Sequence, residues 1–144
     1  VASAFVEAHD HHRAQVSPPA SPTLPPVRWS EELAARAQAW ADRCEFEHSQ
    51  TDAGENLAAR TQMITPEEIV AGWAAEGEHY DYARNRCAKG EVCGHYTQVV
   101  WRDSTQIGCG VAQCPSGGPF GEHEWVFWVC NYSPAGNWQG QKPY

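Results

Sequence analysis

The run Glu124–Tyr132 constrains the fold more than any other stretch of the chain. It alternates as a strand does, yet both parities are apolar. Trp125, Phe127 and Val129 fall on one side, and Val126, Trp128 and Cys130 on the other. A strand apolar on both faces has to be covered on both faces. Ile107–Gln113 reads as a second strand. Tyr96–Arg102 reads as a third, because Thr97, Val99 and Trp101 alternate with Gln98 and Val100.

Helical signals dominate before these strands. Ala4–Val16 brings Phe5, His9, His12 and Val16 near one face, and the proline-rich stretch Ser17–Pro26 that follows is loop. A second helix starts at Ser30, a good N-cap, with Glu31 and Glu32 where the helix dipole favours acids. Its apolar stripe is Leu33, Ala34, Ala37, Trp40, Ala41 and Cys44. A third opens with the capping-box pair Thr65 and Glu68 and with Pro66 at its first position. Helices first and strands later, with a doubly covered sheet, predict an α+β fold. The expected architecture is a three-layer α–β–α sandwich around a central antiparallel sheet, one domain over residues 1–144.

Six cysteines without a CxxC pattern read as a disulfide framework, and so as a secreted, extracellular protein. The start at Val1, without methionine or an apolar leader, reads as a mature form after signal removal. A net charge of −8 opposes nucleic acid and anionic membrane surfaces. No apolar run approaches the ~18 residues of a membrane span. Seven tryptophans read first as core and sheet packing, and the expected state is a monomer. Cys109 and Cys114 lie ~16 Å apart if their strand is regular, too far for a bridge between them. Cys87 and Cys93 flank a short loop containing Gly90 and can close it; spacing leaves the other partners open.

One position on the third helix is out of place. Ile69, Trp73, Glu76 and Tyr80 fall at i, i+4, i+7 and i+11, so Glu76 lies on an inward stripe. A carboxylate facing a core needs a partner. His95, with the parity of Thr97, Val99 and Trp101, is the candidate.

Four segments carry a resemblance: GHYTQVVW (Gly94–Trp101), CNYSPAGNW (Cys130–Trp138), GENLA (Gly54–Ala58) and the closing GNWQGQKPY. With these the chain resembles the CAP family of cysteine-rich secretory proteins, antigen 5 and pathogenesis-related class 1 proteins, in its plant-type branch. The resemblance implies the same α–β–α fold and the bridges Cys44–Cys114, Cys87–Cys93 and Cys109–Cys130. It also implies a cleft tetrad, His48, Glu55, Glu76 and His95, that holds a divalent metal chiefly through the two histidines. Zinc is the expected ion, in a weak and open site. Alternatives are a metal-free polar cluster and a metal-assisted hydrolase. No serine or cysteine stands out as a nucleophile, and Ser49 beside His48 is not thereby paired with it. Glu76→Leu is expected to stabilise the fold while abolishing metal binding, since functional polar clusters are often kept against stability.

A binding module is therefore preferred to an enzyme. The family points to a defence-related, antimicrobial protein that holds a sterol or other lipid near a mobile loop, Ser17–Pro26 or Tyr82–Cys93, and to a possible protein partner. Pro134–Tyr144 matches a segment that some plant members release as a signalling peptide, by cleavage after Ser133. That segment also reads as structural, with Asn137 and Trp138 packed back on the sheet. His9 and His12 are spaced to chelate, but read first as packing or surface residues; His79 and His123 read as exposed.

Overall fold

A computed structural model describes residues 1–144. Its main sheet has the order β1-β5-β6-β2, from β1 (Arg28–Trp29), β5 (Gln106–Cys114), β6 (Trp125–Ser133) and β2 (Gly54–Arg60). All pairings are antiparallel except the two-residue edge β1, which runs parallel to β5. Helices α1 (Ala2–Arg13), α3 (Pro66–Ala75) and α4 (Gly94–Val99) cover one face, and α2 (Glu31–Ala41) covers the other. A small hairpin of β3 (Tyr80–Asp81) and β4 (Arg86–Cys87) lies outside the sheet.

The doubly apolar strand explains this layering. Val126, Trp128 and Cys130 join Phe5, Ile69 and Val99 in one core. Trp125, Phe127 and Val129 join Ala37 and Ala41 of α2 in the other. The α2 layer sits unusually close. A Cβ on Gly108 would fall 2.1 Å from the Ala34 backbone nitrogen, and one on Gly110 would fall 2.5 Å from the Gln38 Cα. The bare backbone of β5 and the alanines of α2 let helix and strand touch directly.

The three bridges are those the resemblance implied. Cys44–Cys114 ties the end of α2 to the end of β5, Cys109–Cys130 joins directly paired residues of β5 and β6, and Cys87–Cys93 closes the loop after β4. Both expected N-caps form: Ser30 accepts from the Leu33 amide and Thr65 from the Glu68 amide. α1 stops at Arg13 rather than Val16, ahead of the two prolines at 18 and 19.

Two elements differ from expectation. Tyr96–Arg102 is not a strand: Gly94–Val99 forms α4. Over so short a run, Tyr96, Val99 and Val100 also satisfy the i, i+3, i+4 rule of a helix face, and all three are buried. The parity argument that aimed His95 inward therefore fails. Conversely β2 pairs with β6 along its whole length, from Gly54 opposite Tyr132 to Arg60 opposite Val126. GENLAAR has little intrinsic β preference and no alternation, so pairing and burial, not propensity, make it a strand.

α1 is anchored by polar groups inside the core. Arg13 is buried and donates to four main-chain carbonyls, those of Pro25 (3.0 Å), Val99 (3.2 Å), Trp101 (2.7 Å) and Arg102 (3.1 Å). His9 is fully buried, with Nδ1 2.8 Å from the Phe5 carbonyl and Nε2 2.7 Å from the Tyr132 hydroxyl. The carbonyl only accepts, so Nδ1 carries the proton and Nε2 accepts from Tyr132. Both ring nitrogens are used, which removes the His9/His12 chelate.

Burial pushes His9 down to about 4; the Phe5 bond opposes that fall, and nearby Arg13 and His12 add to it. The unfolded imidazole binds a proton below about pH 6.5 while the folded one stays neutral to about 4, so stability falls as pH drops through that window. The expected loss is on the order of 3 kcal/mol. Urea midpoints at pH 7 and pH 4.5 should diverge less in His9→Gln, whose amide can serve both partners. An equal acid loss in that variant would assign the effect to other groups.

Candidate functional site

α3 ends at Ala75, and a single 3-10 turn, Glu76–His79, carries Glu76 to the start of α4. No side chain of Cys93, the residue before α4, caps that helix. Glu76 does so instead: its Oε1 accepts from the backbone amides of His95 (3.0 Å) and Tyr96 (3.2 Å). Its Oε2 lies 2.6 Å from Nδ1 of His95. The Trp73 ring lies parallel to the imidazole, centroids 6.2 Å apart and planes within 9°. The pairing of Glu76 with His95 thus holds although the strand argument for it does not. Because Glu76 also caps α4, leucine there would strip a helix end of its acceptor, so the change should destabilise the fold rather than stabilise it.

Glu55, on β2, does the same for a loop. Its Oε1 accepts from the Ser49 amide (2.8 Å) and meets Nδ1 of His48 (2.9 Å). Its Oε2 accepts from Asn131 of β6 (3.1 Å) and from the Ser49 hydroxyl. The Glu55 side chain is 6% exposed and that of His48 57%, so a buried carboxylate holds a histidine out toward solvent.

A carboxylate only accepts, so Nδ1 of each histidine is the donor, and in the neutral imidazole the lone pair is on Nε2. Neither Nε2 has a hydrogen-bond partner within the protein. Both rings line one cleft of about 500 Å³ together with Glu76, and Phe46, Leu57 and Phe120 form its apolar part. Arg60 borders the cleft as well. The expected tetrad is thus two His–Glu pairs whose histidines border one cleft, with Glu55 lining a neighbouring pocket instead, and not four converging ligands. No group of three or more His, Cys, Asp or Glu gathers as an ion cage. The glutamates fail to converge because their oxygens already serve Nδ1–H and backbone amides.

The Ser49 hydroxyl donates to Glu55 and does not contact His48. Sequence reasoning missed Ser49 as a carboxylate partner, and missed Asn131, Phe46, Phe120 and Arg60 altogether. Asn131 had a signal: a lone amide in a run where every neighbour is apolar needs a polar partner.

His123 is exposed, while His79 is partly exposed and lies 3.5 Å from Glu91. Asn137 bonds Thr97 (2.6 Å) and the Gly94 carbonyl (2.8 Å), on α4 rather than on the sheet. Trp138 is 60% exposed, which corrects the expectation that it packs inward. Beyond it the chain returns to the body: the Arg102 amide donates to Pro143 (2.8 Å), and Tyr144 stacks on Tyr82 with centroids 4.6 Å apart.

The family model described as "Cysteine-rich secretory protein family", CAP, matches residues 6–132. The chain belongs to the CAP family. Among curated CAP relatives, pathogenesis-related leaf protein 4 of Solanum lycopersicum is 42% identical over 144 residues, covering 97% of this chain and 81% of that protein. Peptidase inhibitor 16 of Bos taurus is 44% identical over 143 residues, covering 97% of this chain but only 31% of that longer protein. The Schistosoma mansoni venom allergen-like protein 4 structure superposes with a TM-score of 0.73 at 27% identity, over 99% of this chain and 92% of that one. A crystal structure of NaASP2 with Zn2+ superposes at 0.75 and 24% identity, over 99% of this chain and 83% of that one, a likeness of fold. No helix is long and apolar enough to cross a membrane.

Proposed function

We propose that this CAP protein is a secreted, defence-related binding module whose cleft holds a divalent metal between the Nε2 atoms of His48 and His95. The observation that carries the reading is the pair of free Nε2 lone pairs facing one cleft, each ring oriented by a carboxylate at Nδ1. Neutral imidazoles in this state suit zinc, and NaASP2 offers a relative in fold crystallised with that ion. Two protein ligands leave the remaining positions open, so the ion would be weakly held and exchangeable. Glu55 and Glu76 act as the partners that keep the rings in register. Three disulfides suit an oxidising, extracellular setting, and pathogenesis-related relatives support the defence role.

The apolar wall formed by Phe46, Leu57 and Phe120 favours a sterol or other lipid as the organic ligand of the same cleft. Release of Pro134–Tyr144 has less support. Ser133 is the last residue of β6 and pairs with Gln106, while the Ser104 hydroxyl holds the Pro134 carbonyl at 2.7 Å. A protease would have to cut where strand and loop are held together.

Calorimetric titration with zinc tests the metal site. Binding should be absent in the His48→Ala, His95→Ala double variant, and about 10–100-fold weaker in Glu55→Gln. Zinc binding that persists in the double variant would place the ion elsewhere.

A further inference from the structure

Trp138 is the most exposed of the seven tryptophans. Its indole N–H donates to the Ala135 carbonyl at 3.0 Å, which pins one edge of the ring while most of its surface stays in solvent. An exposed ring is ordinary by itself, but one fixed at the rim of a groove presents a flat apolar face to whatever enters it. Beside it lies a groove of about 310 Å³ between the closing segment and the β3–β4 hairpin, bordered by Gly94 and Thr97 of α4 but not by His95.

The lining of that groove is uncharged. Its polar side chains are Tyr80, Asn85, Thr97, Asn137 and Gln141, and no Asp, Glu, Lys, Arg or His contributes, in a chain that is 19% charged. The Tyr80 hydroxyl donates to Oδ1 of Asn85 at 2.5 Å, which orients the Asn85 amide and leaves its N–H groups free. Gln141 makes no side-chain hydrogen bond within the protein. Asn137 is held rigidly by Thr97 and Gly94, so that wall is preformed.

We propose that this groove is a second binding site, separate from the His/Glu cleft, for a neutral oligosaccharide. A pyranose ring has an apolar C–H face and a rim of hydroxyls. The C–H face suits the electron-rich indole of Trp138, and the hydroxyls suit amides that both donate and accept. A carboxylated, sulfated or phosphorylated ligand would find no cation here and would meet the field of a chain of net charge −8. A purely apolar ligand would strand the amides of Asn85 and Gln141 without partners.

The test is calorimetry on the intact protein with laminarihexaose, cellohexaose and chitohexaose in turn. At least one should bind with a Kd between about 10 μM and 1 mM, unchanged by about 0.5 M sodium chloride. Trp138→Ala should weaken binding by about tenfold or more, and Asn85→Ala by a smaller factor. Trp138 is exposed, so its variant should keep the parent melting temperature and zinc titration. The His48→Ala, His95→Ala variant should bind sugar as the parent does, which separates failure of this site from failure of the metal site. Four results would overturn the proposal: no binding of the three sugars at about 5 mM, parental affinity in Trp138→Ala, loss of sugar binding with the two histidines, or salt-sensitive binding confined to a sulfated oligosaccharide.

Discussion

Gly108→Val should cost more than about 4 kcal/mol and leave little folded protein at room temperature. A side chain there would enter the space of the α2 backbone, where a Cβ falls 2.1 Å from the Ala34 nitrogen and 2.6 Å from the Leu33 carbonyl carbon. Backbone cannot rotate away as a side chain does. α2 would have to lift from the sheet, opening the core of Ala37, Ala41, Phe127 and Val129. Gly110→Val should behave similarly, its nearest neighbours being backbone atoms of Gln38. Urea unfolding followed by tryptophan fluorescence measures the effect. A stability within about 1 kcal/mol of the parent would mean that α2 can slide without loss, contrary to the close packing described.

The second large effect is expected at Arg13. Arg13→Met keeps most of the side-chain volume but removes all of Arg13's bonds to the carbonyls of Pro25, Val99, Trp101 and Arg102, of which Trp101 alone keeps a second donor, the Ser104 amide at 3.2 Å. Leaving several buried acceptors unpaired should cost about 4 kcal/mol or more. The damage should spread, because these carbonyls join α1 to the end of α4 and to the end of the proline-rich loop. Arg13→Lys should recover only part of the loss, since one ammonium cannot match the fork of a guanidinium. Hydrogen exchange offers a local reading: amides of α1 and α4 should lose protection before those of β5 and β6. Uniform loss across the sheet would argue that α1 is not held chiefly through Arg13.

These two residues also mark the limits of legibility in the sequence. The layers were legible because Trp125–Cys130 is apolar at both parities, and only a covered sheet accommodates that. The helix starts at Ser30 and Thr65 were legible because capping is local chemistry. The close approach at Gly108 and Gly110 was not, since it depends on which helix lies over which strand. Arg13 was not, because its partners are carbonyls up to 89 positions away, and every residue has one. The strand β2 escaped because its stability comes from β6 alongside it, and α4 was misread because six residues cannot separate a period of 2 from one of 3.6. His48 and Glu55 were found through family resemblance alone, whereas Glu76 also showed as a carboxylate on an inward stripe and His95 was reached by a strand parity that α4 does not have. The division of labour between them, carboxylates inward and Nε2 outward, required coordinates.

Glu76 has a consequence for how such clefts diverge. One carboxylate caps α4 and orients His95, so selection for folding alone would retain it even in a lineage that uses no metal. Glu55, which binds the Ser49 amide and Asn131, would be retained on the same terms. The histidines have no comparable structural duty at Nε2. Where no ion is used, substitutions should therefore accumulate first at His48 and His95, with the glutamates left behind as architecture.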